Sequence, residues 1–283
     1  MTKKIALNCY SKIGETMKKY YVLILFLLLP SFAHAKTITG MGDSITTGYG
    51  VSEKESYFAL LCSHLTKEEP YSCHNLAQNG LTSEGLLKQL EDESVLQNVR
   101  KSDYIVFSIG GNDFLQELIA NLFLYLGNTS NFTSFDQVKN KLLANLEAIC
   151  QTLKKENPNV KLLILPIYNP YYELLKRNEA LTTKFKETQT EYTKRARRYG
   201  IVPDKIADSI ENQQYLNASV NNLDPHPTAL GHQMIAESLV ETFEVPITKK
   251  QSKSYYLIIP LILILSFVIF WVKKSRKTHR IST

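Results

Sequence analysis

An α/β domain, with helices packed on both faces of a parallel five-stranded sheet, is the fold this 283-residue sequence predicts. Three observations point to it. Short apolar runs alternate with segments whose apolar residues recur at helical spacing. Two of the runs, "DYIVFSIGG" at 103–111 and "VKLLILPIY" at 160–168, are apolar almost throughout, as strands covered on both faces are. The stretches between strand-like runs are long enough to hold the crossover helices that parallel pairing requires.

The elements follow in order. Lys36–Met41 reads as the first strand. Ser56–Leu65 is a helix with Phe58, Leu61 and Leu65 on one stripe, and Ser72–Ala77 is the second strand. Ser83–Glu91 is a helix with Ser83 as its N-cap. Asp103–Gly111 is the third strand. Apolar positions from Phe114 to Leu126 fit one helical stripe and spill past it. Phe135–Lys155 is a long helix carrying Val138, Leu142, Leu146 and Ile149 along one side. Val160–Tyr168 is the fourth strand, Leu181–Arg198 a polar helix, Gly200–Pro203 a short fifth strand, and Thr228–Phe243 the final helix. No internal repeat or low-complexity tract interrupts the pattern.

The ends carry different signals. Tyr20–Ala35 follows Lys18 and Lys19, is apolar, contains Pro30 and closes on "AHA", the pattern of a secretory leader cut after Ala35. Met17 begins a complete leader, so residues 1–16 are read as dispensable. Tyr255–Val272 has no charge and is long enough for a bilayer core, which takes roughly 20 residues. Tyr255, Tyr256 and Trp271 mark its ends, and a basic tail follows from Lys273 to the C-terminus. The expected layout is a leader (1–35), a domain (36–245), a tether (246–254), a membrane span (255–272) and a cytoplasmic tail (273–283). The domain is then extracellular on a single-pass anchor. "VPITKKQ" before the span is not a sortase motif, which favours a retained anchor.

The net charge of +6 is a property of those ends. Five lysines and one glutamate precede Lys36, and eight basic residues follow Val245; subtracting them from 33 basic and 27 acidic residues leaves 20 and 26, a net of −6. A nucleic-acid surface is excluded as the main feature of such a domain. Of the four cysteines, Cys9 falls in the leader. Cys62 and Cys73 are close in sequence, and export permits a bridge between them, though two free thiols fit equally well. Cys150 lies on an apolar helix stripe and reads as a small buried hydrophobe. No Cys/His spacing suggests zinc, and nothing calls for a cofactor.

Chemistry-bearing residues gather where strands end, the usual place for sites in open parallel sheets. "GDS" at 42–44 follows the first strand. There Ser44 opens a helix, exposing its hydroxyl and aiming its N–H at a ligand. "NLAQNG" at 75–80 follows the second and ends in Gly80, which brings a bare N–H close to a ligand or simply makes a turn. "GGND" at 110–113 follows the third, and Asn112 is either a helix-start residue or a side-chain donor to an oxyanion. "DPHP" at 224–227 precedes the final helix, with His226 as a general base and Asp224 as its orienting acid. His232 is read as a surface or capping histidine.

Together, and in this order, these segments resemble the SGNH (GDSL-type) hydrolases, over a span from Gly42 to about Ala236. The resemblance implies a three-layer α/β/α sandwich of flavodoxin-like form. It implies a nucleophile at Ser44, a base at His226 oriented by Asp224, and an oxyanion hole made by the N–H groups of Ser44 and Gly80 and the side chain of Asn112. Asp43 and Asp113 match motif carboxylates and are read as holding loops. The commonest family spacing is Asp-x-x-His; here Leu223 takes the usual acid position and Asp224 stands two before His226, so a backbone carbonyl is the other group able to orient the ring.

The excess apolar residues at 114–126 read as a core helix or as a cover for an acyl chain. "PIYNPYYE" at 166–173 resembles the corresponding loop of secreted Gram-positive acylhydrolases. Three function classes follow: an acylhydrolase on lipids, lysolipids or simple esters; an O-acetyl esterase of envelope carbohydrate; and a non-enzymatic surface module. The expected partners are an ester substrate, lipid included, and the membrane through Tyr255–Val272.

Overall fold

The computed structural model describes residues 35–127, 131–211, 213–218 and 223–243. The leader and the span at 255–272 lie outside these residues. Among the described residues, no helix is long and apolar enough to cross a membrane. The chain divides into a compact body ending at Leu239 and a C-terminal unit from Val240, of which only the last turn of a helix is described.

Strands β1 (Lys36–Gly42), β2 (Tyr71–Asn75), β3 (Tyr104–Ser108) and β4 (Lys161–Ile164) form one sheet in the order β2-β1-β3-β4. All three pairings are parallel. The chain leaves β1 for one neighbour and later returns to its other side as β3. The crevice beyond the carboxyl ends of β1 and β3 is therefore the topological switch point, where such sheets bind ligands.

The helices are α1 (Ser44–Thr47), α2 (Tyr57–Glu68), α3 (Ser83–Gln89), α4 (Glu93–Lys101), α5 (Gly111–Leu126), α6 (Thr133–Glu156), α7 (Tyr172–Leu175), α8 (Glu179–Ala196), α9 (Asp204–Ile210) and α10 (Ala229–Phe243). Side chains alternate across the sheet. Met41, Ile105, Phe107, Leu162 and Ile164 face the main core, with Leu142, Leu146 and Ile149 of α6. The intervening positions face the other way, where Phe58 of α2 packs so closely on Gly40 that a Cβ there would lie 2.9 Å from its ring. The backbone N–H of Tyr57 at the start of α2 donates to His232 of α10 at 3.2 Å. A disulfide joins Cys62 of α2 to Cys73 of β2, closing the alternative left open by the sequence. Cys150 is a buried free thiol, as expected.

Three expectations are corrected. Among the described residues the sheet has four strands, not five: Gly200–Pro203 contributes a single parallel bridge, Leu163 with Ile201. Pro203 offers no N–H to a ladder, and α9 starts directly after it, so pairing stops after one residue. Ser83 is not the cap of α3. Thr82 is, accepting from the Gly85 N–H at 3.2 Å, while Ser83 is the first helical residue, donating to Asp113 through its N–H and hydroxyl and accepting from Asn145 at 2.9 Å. His232 is not at the surface: it is fully buried in α10.

Candidate active site

Gly42 ends β1 beside Ser108 of β3, at φ +96°, and a Cβ there would lie 1.9 Å from the Ser108 carbonyl oxygen. Only glycine fits so close an approach at that φ. The tight exit turns the chain at once into α1, whose N-cap is Asp43. One oxygen of Asp43, Oδ1, accepts from the Ile45 N–H at 3.1 Å and from Ser108 Oγ at 2.6 Å. Ser108 spends its hydrogen on Asp43, so it accepts from Thr46 Oγ1, which in turn accepts from the Tyr57 hydroxyl, each at 2.7 Å. This buried chain of hydroxyls fixes the loop that carries Ser44. Burial pushes the Asp43 carboxyl up to about 7.

His226 comes from the loop before α10. Its Nε2 lies 2.9 Å from Ser44 Oγ and its Nδ1 lies 2.5 Å from Asp224 Oδ1. The same carboxylate oxygen accepts the His226 backbone N–H at 3.1 Å. An ionised carboxylate only accepts, so Nδ1 carries the ring hydrogen and Nε2 presents a lone pair to the Ser44 hydroxyl. Two-residue spacing therefore suffices for a carboxylate to hold the imidazole. The loop itself is held from the β4 side: Tyr168 donates to the Pro225 carbonyl at 3.1 Å and Tyr171 to the Leu223 carbonyl at 2.8 Å. The Asn217 N–H donates to the His226 carbonyl at 3.0 Å, and the Tyr49 ring sits 4.6 Å from the imidazole.

Asn112 lies in the first turn of α5, which starts from Gly110 at φ +113°. One hydrogen of its amide goes to the Leu81 carbonyl at 3.0 Å, which leaves the other to donate. Gly80 has φ +76°, with open space where a Cβ would point. Its neighbours are anchored on both sides: Asn79 accepts from Thr47 of α1 at 2.5 Å, and Leu81 from Asn112. Ser44, Asn112 and His226 line one cavity; Gly80 is not part of its wall. Asp113 takes both donors of Ser83, and burial raises its carboxyl pKa. Asp43 and Asp113 thus brace loops, in keeping with the sequence.

His232 Nδ1 accepts from Tyr57, and its Nε2 is buried without a partner. Burial holds its pKa down at about 4, so the ring is neutral.

The cavity runs from Ser44 and His226 into an apolar interior. Leu115 and Leu118 of α5 form one wall, the Tyr168–Tyr171 loop another, and Phe135 of α6 with Leu181 and Phe185 of α8 reach its depth. The α5 positions and the aromatic loop are legible in the sequence. Phe185 is not: α8 reads as polar, and the signal that marks it is the pair Leu181 and Phe185, four apart on one face.

A serine hydroxyl on a histidine, a carboxylate behind the histidine and an amide donor beside an apolar cleft make an arrangement suited to acyl transfer. Comparison with known proteins places the chain among relatives and folds. The uncharacterised protein YpmR of Bacillus subtilis (strain 168) is 25% identical over 214 residues, covering 73% of this chain and 81% of YpmR. The lipase Lip_vut3 from a goat rumen metagenome shares the fold at a TM-score of 0.60 and 18% identity, over 73% of this chain and 97% of its own. An extracellular lipase of Streptomyces rimosus does so at 0.57 and 17%, over 73% and 99%. The profile of the GDSL-like lipase/acylhydrolase family matches residues 41–234, a span that holds every residue of the site just described, and the chain belongs to that family.

Proposed function

We propose that this chain is a carboxylic ester hydrolase that works through a covalent acyl-enzyme on Ser44. The observation that carries the reading is the Asp224–His226–Ser44 relay, at 2.5 and 2.9 Å, opening onto an apolar cavity. Ser44 Oγ attacks the ester carbonyl carbon while His226 Nε2 takes its proton. The carbonyl π pair moves onto oxygen, where the Ser44 N–H and the Asn112 amide, both on the cavity wall, donate to it, with the Gly80 N–H as the third donor that the family resemblance implies. Each such donor is worth about 3–4 kcal/mol in the transition state. Collapse expels the alcohol, which leaves with the proton from His226. Water repeats the sequence and frees the acid. Asp224 holds the ring and balances its transient charge.

The apolar lining supports an acyl chain in the cavity, and so a lipid, lysolipid or simple acyl ester. An acetyl group of envelope carbohydrate leaves most of that lining unused. We also propose that the domain works outside the cell, tethered by Tyr255–Val272 after loss of the leader. A tether at 246–254 reaches at most about 30 Å, which favours substrates at the membrane surface.

The test is hydrolysis of p-nitrophenyl esters, acetyl through palmitoyl, by residues 36–248 and by Ser44→Ala. The proposal predicts turnover by the wild type, rising from acetyl to longer chains, and loss of at least about 10³-fold in Ser44→Ala. Preference for acetyl would favour the carbohydrate esterase, and an inert wild type the binding module.

A further inference from the structure

Nine large hydrophobic side chains are exposed among the described residues, and four of them sit on the second half of α5: Ile119 at 67%, Phe123 at 89%, Leu124 at 58% and Leu126 at 48%. The same helix also carries inward-facing apolar side chains, since Phe114 and Tyr125 are buried and Leu115 and Leu118 line the cavity. Exposed apolar side chains on a helix that already buries an apolar stripe call for a second cover. Nor does any charge relieve the outer face: from Leu118 to Phe135 the sequence has no Asp, Glu, Lys or Arg. The face is held firmly. Glu117 Oε1 accepts from Tyr125 Oη and Ser134 Oγ, both at 2.6 Å, and from Asn121 Nδ2 at 2.9 Å, at the kink where Asn121 leaves helical geometry.

Three more of the nine lie around the site. Tyr49 packs on His226, Tyr172 follows the cavity-lining Tyr171, and Leu223 precedes Asp224. Exposed apolar side chains gathered on one helix and beside a site mark an interaction surface.

We propose that the outer face of α5, with Tyr49, Tyr172 and Leu223, is a docking surface for a lipid bilayer, seating the cavity mouth on the membrane. The choice of a bilayer rests on the tethered reading given above. Forty residues follow Phe243, and within them an uncharged stretch of membrane-spanning length lies between lysine-rich flanks. A body held within tens of ångströms of a bilayer meets lipid far more often than any other apolar partner. The domain's net negative charge and the uncharged run from Leu118 to Phe135 argue against attraction to anionic lipid as the force, so docking works by inserting Ile119, Phe123 and Leu124 below the headgroups. The same helix then lines the cavity through Leu115 and Leu118 and touches lipid from Ile119 onward, which gives an acyl chain a short path between them.

The experiment uses the full chain reconstituted in phosphatidylcholine vesicles, with an environment-sensitive fluorophore at Phe123→Cys or at Lys101→Cys. Lys101 is exposed and lies at the opposite, amino-terminal end of β3. The proposal predicts blue-shifted emission at 123, quenched by nitroxide-bearing lipids, and water-like, unquenched emission at 101. Water-like emission at 123 overturns it. So does a blue shift without lipid quenching, which means that another protein copy covers the face. This readout needs no catalysis, so it stands apart from any failure of the hydrolase reading. A second arm compares substrates: Ile119→Ser/Phe123→Ser/Leu124→Ser keeps turnover of a water-soluble acetyl ester and loses at least tenfold on an ester embedded in vesicles. Equal loss on both, or none on either, counts against the docking surface.

Discussion

Replacing Asp43 by Asn changes how stability depends on pH, by an amount the structure allows to be worked out. Both bonds to the Asp43 side chain go to Oδ1, so an amide oxygen keeps them while the titration is removed. Burial raises the carboxyl from 3.8 to about 7 in the folded protein. An acid raised on folding contributes stability below its unfolded pKa and loses it as pH rises through the folded one. Between pH 4.5 and 6.5 that loss is about 2.5 kcal/mol. His232 acts in the opposite sense. Burial lowers it from 6.5 to about 4, so its contribution is present above 6.5 and lost as pH falls through 4, about 2 kcal/mol over the same interval. In the wild type the two nearly cancel. In Asp43→Asn the histidine term is no longer offset by Asp43, and stability relative to wild type rises by about 2.5 kcal/mol from pH 4.5 to 6.5. In His232→Asn the relative trend reverses, by about 2 kcal/mol. The assay is urea unfolding of residues 36–248 across this range, read as the difference from wild type at each pH. Parallel curves for wild type and Asp43→Asn would refute a protonated Asp43 at mildly acid pH.

Further expectations concern single contacts. Gly42→Ala drives a Cβ into the Ser108 carbonyl at a φ of +96° and costs about 3 kcal/mol or more, seen as a fall in the thermal midpoint or as loss of soluble protein. Cys62→Ser with Cys73→Ser opens a loop of sequence separation 11 and lowers stability by about 3 kcal/mol in oxidising buffer, while thiol reductant destabilises the wild type but not this variant. Asn112→Ala lowers kcat on p-nitrophenyl esters by about 10²–10³-fold with little change in KM, because the lost donor acts on the oxyanion. An unchanged kcat would remove Asn112 from the site.

The parts of this molecule legible in the sequence are those that local chemistry dictates. Strand β3 and the region of β4 announce themselves as apolar runs because both faces are covered. Ser44, Asn112, Asp224 and His226 stand out because each follows a strand or precedes the last helix with turn residues around it. What the sequence hides is tertiary. The chain from Tyr57 through Thr46 and Ser108 to Asp43 joins residues far apart, and no local pattern encodes it. The raised pKa of Asp43 and the lowered pKa of His232 follow from burial, which a short motif does not report. Ser83 has the composition of a cap, yet Asp113 claims it from thirty residues away. Gly200–Pro203 has the composition of a strand, yet Pro203 and the start of α9 leave it one bridge. Part of the cavity lining escapes notice because α6 and α8 contribute only Phe135, Leu181 and Phe185 to it.

The central claim is that Ser44 is an activated nucleophile, and covalent labelling tests it most directly. The folded domain is treated with a fluorophosphonate and analysed by intact mass and peptide mapping. The account predicts one adduct, on the peptide that holds Ser44, absent in Ser44→Ala and strongly slowed in His226→Ala. A folded wild type that takes up no label, or a Ser44→Ala protein labelled as fast as the wild type, would contradict it.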